Sequence, residues 1–227
     1  MEKLLILHGA LGSKSQFEAL ISSFSNQLDV YFLEFSGHGI QKFRKDFSVP
    51  QFSNELSQFI QTNSLLGCHV FGYSMGGYVA LYNALSHPEH FRSLQTLATK
   101  FSWNPDIAEK EIKMLDPDRI VEKIPAFAEV LDKRHGNWRK LMESTQDLMK
   151  QLGENPLLDT SNLPTLQIPV KIMRGSLDTM VSEEESKWAV ENLNKARYIE
   201  IPEAKHPIEK YDPASLAALI ERNLLDV

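Results

Sequence analysis

Among 227 residues there is one cysteine, Cys68, so no internal disulfide can form and the small disulfide-stapled secreted scaffolds are excluded. That lone thiol is expected to be a buried apolar filler. Basic residues are also short: 24 Lys plus Arg stand against 30 Asp plus Glu, a formal net charge of -6. A surface that reads nucleic-acid phosphates needs clustered Lys and Arg, so no nucleic-acid partner is expected. Long hydrophobic runs are missing too, with nothing near the ~18 apolar residues of a membrane helix. Met1-Glu2-Lys3 leads into only four apolar residues, Leu4 to Leu7, against the about 7 to 15 of a secretory signal core. A cytoplasmic protein with no membrane attachment is the expectation. No His, Cys or carboxylate cluster shows ligand spacing, and no phosphate loop or dinucleotide fingerprint is found, so neither metal nor cofactor is expected. The composition implies no protein partner either.

What is present is an alternation. Short apolar runs at Leu4 to Leu7, Val30 to Phe35, His69 to Tyr73, Ser93 to Ala98, Val170 to Met173 and Tyr198 to Ile201 are too brief for helices and read as six strands. Segments of helical period lie between them, around 16 to 26, 50 to 62, 76 to 86, 183 to 194 and 213 to 225. Ser182 followed by three glutamates forms a capping box, and Pro50 and Pro213 suit first helical positions. This pattern predicts an α/β fold, a mostly parallel sheet flanked by helices. Residues 101 to 165 break the alternation with helical periods alone, so a helical insertion is expected in one domain built from 1–100 and 166–227.

The strongest local signal is Gly72-Tyr73-Ser74-Met75-Gly76-Gly77, a G-x-S-x-G motif between an apolar strand and a helix rich in Ala and Leu. A nucleophile on so sharp a turn sits in a strained backbone, and glycines are needed where chain segments approach. A serine hydroxyl needs a base, normally a histidine steered by a carboxylate. Of seven histidines, His206 lies in a loop between the last strand and the last helix, at the sheet edge that also carries Ser74. The other six, His8, His38, His69, His87, His90 and His135, suit structural or solvated roles better. Asp178 directly follows the strand ending at Met173 and precedes the capped helix. Ser74, Asp178 and His206 thus occur in the order nucleophile, acid, base. An oxyanion needs donors already in place, and the backbone N–H of Met75 and of Ala10, in the turn His8-Gly9-Ala10-Leu11-Gly12, are the natural pair.

Together with the Ser36-Gly37-His38-Gly39 loop, these motifs resemble the α/β-hydrolase superfamily over essentially the whole chain. The resemblance implies Ser74 as nucleophile, His206 as base, Asp178 as its partner, Ala10 and Met75 as oxyanion donors, and residues 101–165 as a cap over the site. Three features depart from the common pattern. Antiparallel strands that many members place first are missing here, as in small plant esterases and hydroxynitrile lyases. The histidine follows Lys205 rather than Gly, and Ser36 stands where Pro is common. The cap offers aromatic side chains, with Phe101, Trp103, Phe127 and Trp138 the expected substrate contacts, while Lys100, Arg134, Arg139 and Lys205 would bind a carboxylate if turned inward. The expected activity is hydrolysis of a small, largely apolar carboxylic ester or thioester. Alternatives are carbon–carbon cleavage of the meta-cleavage or menaquinone-pathway type, against which Tyr78 replaces the arginine of that lyase, and a small-molecule receptor with an intact triad.

Overall fold

The computed structural model describes residues 1–225. In chain order the first half runs β1 (Glu2–Leu7), α1 (Glu18–Ser23), β2 (Leu28–Leu33), α2 (Val49–Thr62), β3 (Cys68–Tyr73), α3 (Met75–Ser86) and β4 (Phe91–Leu97). Four helices follow: α4 (Pro105–Ile112), α5 (Pro117–Lys123), α6 (Pro125–Arg134) and α7 (Trp138–Glu154). The chain then returns through β5 (Val170–Gly175), α8 (Glu183–Asn192), β6 (Ala196–Ile201) and α9 (Pro213–Leu225).

All six strands pair in parallel in the order β2-β1-β3-β4-β5-β6. Successive strand side chains face opposite ways, so each strand feeds two cores. Leu5, Leu7 and Val70 face α2, α3 and α8, with Phe52, Leu56 and Val79. Leu4, Ile6 and Phe71 face α1 and α9, with Leu20, Leu216 and Ile220. Because both faces are covered, the strands read as continuous apolar runs rather than as alternating ones. The order reverses between β1 and β3, which opens a crevice beyond their carboxyl ends, the place where open α/β sheets bind ligands.

The helices form where the local chemistry permits. Ser48 caps α2 by accepting from the Gln51 amide, and α2 buries Val49, Phe52, Leu56 and Ile60 at helical spacing. On α7, capped by Asn137, the buried face is Trp138, Leu141, Met142, Thr145, Leu148 and Leu152. Among the described residues no helix is long and apolar enough to cross a membrane.

Most element ends shift by a few residues from expectation, and two differences have a clear local cause. The second strand ends at Leu33, not Phe35, because the Phe35 amide leaves the sheet and donates to His8 Nε2 at 3.0 Å. The expected helix at 16 to 26 is a 3₁₀ turn at Lys14–Phe17 followed by the short α1.

Candidate active site

Ser74 stands between β3 and α3 with φ 51° and ψ -117°, a conformation a side chain adopts only under compulsion. Its amide donates to Leu97 O at 2.8 Å, and its carbonyl accepts from Gly77 N at 3.1 Å and Thr99 Oγ1 at 3.0 Å. The flanking glycines are steric necessities: a Cβ at Gly72 would lie 2.5 Å from Gly77 Cα, and one at Gly76 would lie 2.7 Å from the Leu7 and His8 carbonyl oxygens.

The loops after β5 and β6 are joined by backbone hydrogen bonds, Ser176 N to Ile201 O and Leu177 N to Ala204 O, both 2.9 Å. This juncture brings Asp178 and His206 together. His206 Nδ1–H donates to Asp178 Oδ2 at 2.9 Å, which leaves Nε2 bare. Asp178 Oδ1 accepts from the amides of Met180 and Val181 at 2.8 and 3.0 Å. Burial pushes the Asp178 carboxyl up, but the His206 bond and charge and the two amides outweigh it and hold it below its ordinary value. Tyr73 Oη donates to His206 O at 2.9 Å, fixing the histidine backbone. Sequence reasoning missed this tyrosine, whose place inside G-Y-S was its one available signal.

In the turn after β1, the Gly9 carbonyl accepts from Gly12 N at 3.1 Å and from His8 Nδ1 at 2.8 Å. His8 is fully buried and accepts the Phe35 amide at Nε2, so it is a neutral bridge between two loops. Burial lowers its pKa to about 4 against the raising effect of the Gly9 bond. Burial likewise takes His135 to about 4, and His38 lies well below its ordinary value.

Ala10, Ser74, Met75 and His206 line one cavity of about 60 Å³. Its remaining walls are mostly apolar: Val49, Tyr78, Trp103, Leu148, Met149, Leu152, Met180 and Val181 among them. Of the four aromatic residues expected to meet substrate, Trp103 lines this cavity. The other three do not. Phe101 is buried in the sheet-side core, Trp138 packs with Leu131 and Leu141 inside the insertion, and Phe127 is exposed on α6. Trp138 thus satisfies the insertion's own packing, Phe127 faces out, and Phe101 belongs to the core beneath the insertion. Along α7, Thr145, Leu148, Met149 and Leu152 also line the cavity, and helical spacing alone does not tell packing from lining.

Lys100 turns inward but is occupied. Its Nζ donates to Met180 O at 2.9 Å and pairs with Glu111 at 3.4 Å and Glu185 at 3.7 Å. Arg139 pairs with Asp118 in solvent, Lys205 is exposed, and Arg134 pairs with Glu209 at 3.2 Å. The insertion is moored at both ends: Glu185 Oε2 accepts from the Phe101 and Ser102 amides at 2.9 Å each, and Tyr78 Oη from Leu157 and Leu158 at 3.1 and 3.2 Å. Cys68 is buried, which pushes its thiol up to about 12. His87, Glu89 and His90, whose ligand-type atoms lie within 4.8 Å of one another among the described residues, sit at the far end of α3 from Ser74.

A family model of the alpha/beta hydrolase fold matches residues 3–119. The pimeloyl-[acyl-carrier protein] methyl ester esterase of Aeromonas hydrophila is 24% identical over 243 residues, covering 96% of this chain and 93% of that protein. Among solved structures, an esterase from Thermogutta terrifontis superposes with TM-score 0.77 at 20% identity, covering 100% of this chain and 90% of that one. The 2-hydroxy-6-oxo-6-phenylhexa-2,4-dienoate hydrolase of Rhodococcus sp. strain RHA1 gives TM-score 0.78 at 18% identity, covering 98% and 90%.

Proposed function

The chain belongs to the α/β-hydrolase family and is a hydrolase of that fold, and from this premise we propose that it cleaves a short-chain carboxylic ester or thioester through an acyl-enzyme on Ser74. The observation that carries the reading is the Asp178–His206 hydrogen bond at 2.9 Å, on a histidine that lines one cavity together with Ser74.

In the acylation step Ser74 Oγ attacks the substrate carbonyl carbon while its proton passes to His206 Nε2. Asp178 holds the ring so that Nε2 is the bare nitrogen, and its charge stabilises the imidazolium that forms. The carbonyl electrons collect on oxygen, facing the N–H groups of Ala10 and Met75. Collapse expels the alcohol or thiol, which takes the proton from Nε2. Water then repeats the sequence against the acyl-enzyme, with His206 again taking the proton, and releases the acid. Residues 101–165 act as the cap: Trp103, Leu148, Met149 and Leu152 supply the cavity walls.

The size and lining of the cavity support this substrate class. A cavity of about 60 Å³ walled by apolar side chains suits a short, uncharged acyl group. A substrate carboxylate, which carbon–carbon cleavage of a diketo acid would require, finds Lys100 already neutralised by two glutamates, so the ester reading stands ahead of that one. Wild type should hydrolyse p-nitrophenyl acetate and butyrate and be labelled by a fluorophosphonate, and Ser74→Ala should do neither. Undiminished turnover or labelling in the variant overturns the assignment.

A further inference from the structure

Leu11 is the residue after the proposed oxyanion donor Ala10, and its φ of 55° puts a branched side chain in the left-handed region. Such a conformation persists only where its surroundings over-determine it. Here the restraint comes from the insertion. His135 Nε2–H donates to Leu11 O at 2.9 Å, and Arg134 Nη1 donates to the same oxygen at 3.3 Å. The tautomer is forced, because Gly39 N–H donates to His135 Nδ1 at 2.8 Å and leaves the proton on Nε2. Gly136 N returns a bond to Gly39 O at 3.2 Å. Arg134 also reaches Glu209, three residues beyond His206.

The covalent geometry carries this restraint to the active site. Leu11 C=O and Gly12 N–H belong to one rigid peptide plane, and Gly12 N–H donates to Gly9 O. Gly9 C=O and Ala10 N–H belong to the next such plane. Two peptide groups in series therefore join the Arg134–His135 donors to the Ala10 amide, and each bond in such a chain orients and polarises its neighbour.

We infer that Arg134 and His135 are positioning residues for the oxyanion site, acting from the insertion through the Leu11 carbonyl to aim the Ala10 N–H. This rests on the serine-hydrolase reading above. The device couples cap to catalysis: donors that reach Leu11 only while the insertion is seated make the oxyanion site complete only in that state.

The test compares His135→Leu, which keeps bulk and loses both bonds, with His135→Gln, which keeps one donor and one acceptor, and with Arg134→Met and the Arg134→Met/His135→Leu double variant. The readouts are kcat and KM on p-nitrophenyl acetate, the rate of fluorophosphonate labelling, and the affinity for a trifluoromethyl ketone, which forms an oxyanion, against that for acetate. Removing an oxyanion donor outright costs about 10²- to 10³-fold, so misaiming one should lower kcat and labelling about 10-fold in each single variant. Trifluoromethyl ketone affinity should fall in parallel, with KM and acetate affinity within about twofold, and Gln should recover most of the loss. A folded variant with unchanged kcat and labelling overturns the inference, as does a loss shared equally by KM and acetate binding. Where His135→Leu fails to fold, Arg134→Met, with the histidine bonds intact, should still lose kcat and labelling, and wild-type rates in it overturn the inference. Activity surviving in Ser74→Ala would instead overturn the underlying reading, whatever these variants do.

Discussion

Replacing Asp178 by asparagine separates geometry from charge, and the hydrogen bonds fix the outcome. Oδ1 accepts two amides, from Met180 at 2.8 Å and Val181 at 3.0 Å, while Oδ2 faces His206. An asparagine that keeps its oxygen toward the amides turns its NH₂ to His206 Nδ1. The flipped amide would set NH₂ against two donors and strand both, at about 1–3 kcal/mol each. The unflipped form is thus favoured by about 2–6 kcal/mol, and in it His206 must leave Nδ1 bare and carry its proton on Nε2. In the proposed mechanism that is the nitrogen that takes the Ser74 proton. At about 1.4 kcal/mol per tenfold, the tautomer penalty alone is about 30- to 20,000-fold. Loss of the charge that stabilises the imidazolium adds about 1.5–3 kcal/mol, so kcat should fall about 10⁴-fold. The assay is a stopped-flow burst with p-nitrophenyl acetate, with ring ¹⁵N shifts reporting the tautomer and a thermal melt confirming the fold. A folded variant that loses less than about 10-fold, or whose His206 still bears its proton on Nδ1, refutes the reasoning.

Further expectations follow from buried groups. His8 and His135 bind protons less readily folded, at about 4, than in the unfolded chain at 6.5. Their contribution is complete above pH 6.5 and falls as the pH drops from there to about 4, and urea unfolding at pH 7 and pH 5 should differ by about 2 kcal/mol per histidine. An absence of any such loss would contradict the neutral bridging roles. Gly72→Ala sets a Cβ 2.5 Å from Gly77 Cα and should destabilise by at least about 1–3 kcal/mol in chemical denaturation. Lys100→Met leaves the buried carboxylates of Glu111 and Glu185 without the ammonium they share, with an expected loss of about 3–5 kcal/mol measured the same way. Leu148→Ala enlarges the cavity lined by that buried leucine. It should shift preference toward longer acyl esters while costing about 2–5 kcal/mol of stability, and an unchanged chain-length profile would place the acyl chain elsewhere.

The parallel sheet was legible because strands covered on both faces are apolar at every position, as at Leu4 to Leu7. The elbow was legible because backbone contacts closer than a Cβ permits demand glycine at 72 and 76. Asp178 and His206 could be assigned from their place after strands, and the structure brings their side chains into contact. The cavity walls were not legible. On α7 the same helical period serves the insertion's own core at Trp138 and Leu141 and the cavity at Leu148 and Leu152. Which face of a helix looks at substrate depends on how the insertion lies over the sheet, and local periodicity does not encode that. The buried histidines were assigned structural roles, but their partners lie up to 124 residues away in sequence, beyond what spacing can reveal.

The two moorings of the insertion, at Glu185 on α8 and Tyr78 on α3, make the segment between Ser102 and Leu157 a transplantable cassette. Both anchors hold backbone amides, so they accept a foreign sequence of the same junction geometry. A cassette taken from a relative would bring its own pocket shape and change which acyl groups enter. Unless it also presents a donor to the Leu11 carbonyl, the chimera should acquire the new selectivity and lose turnover in the same exchange, so selectivity and rate would have to be exchanged as one unit.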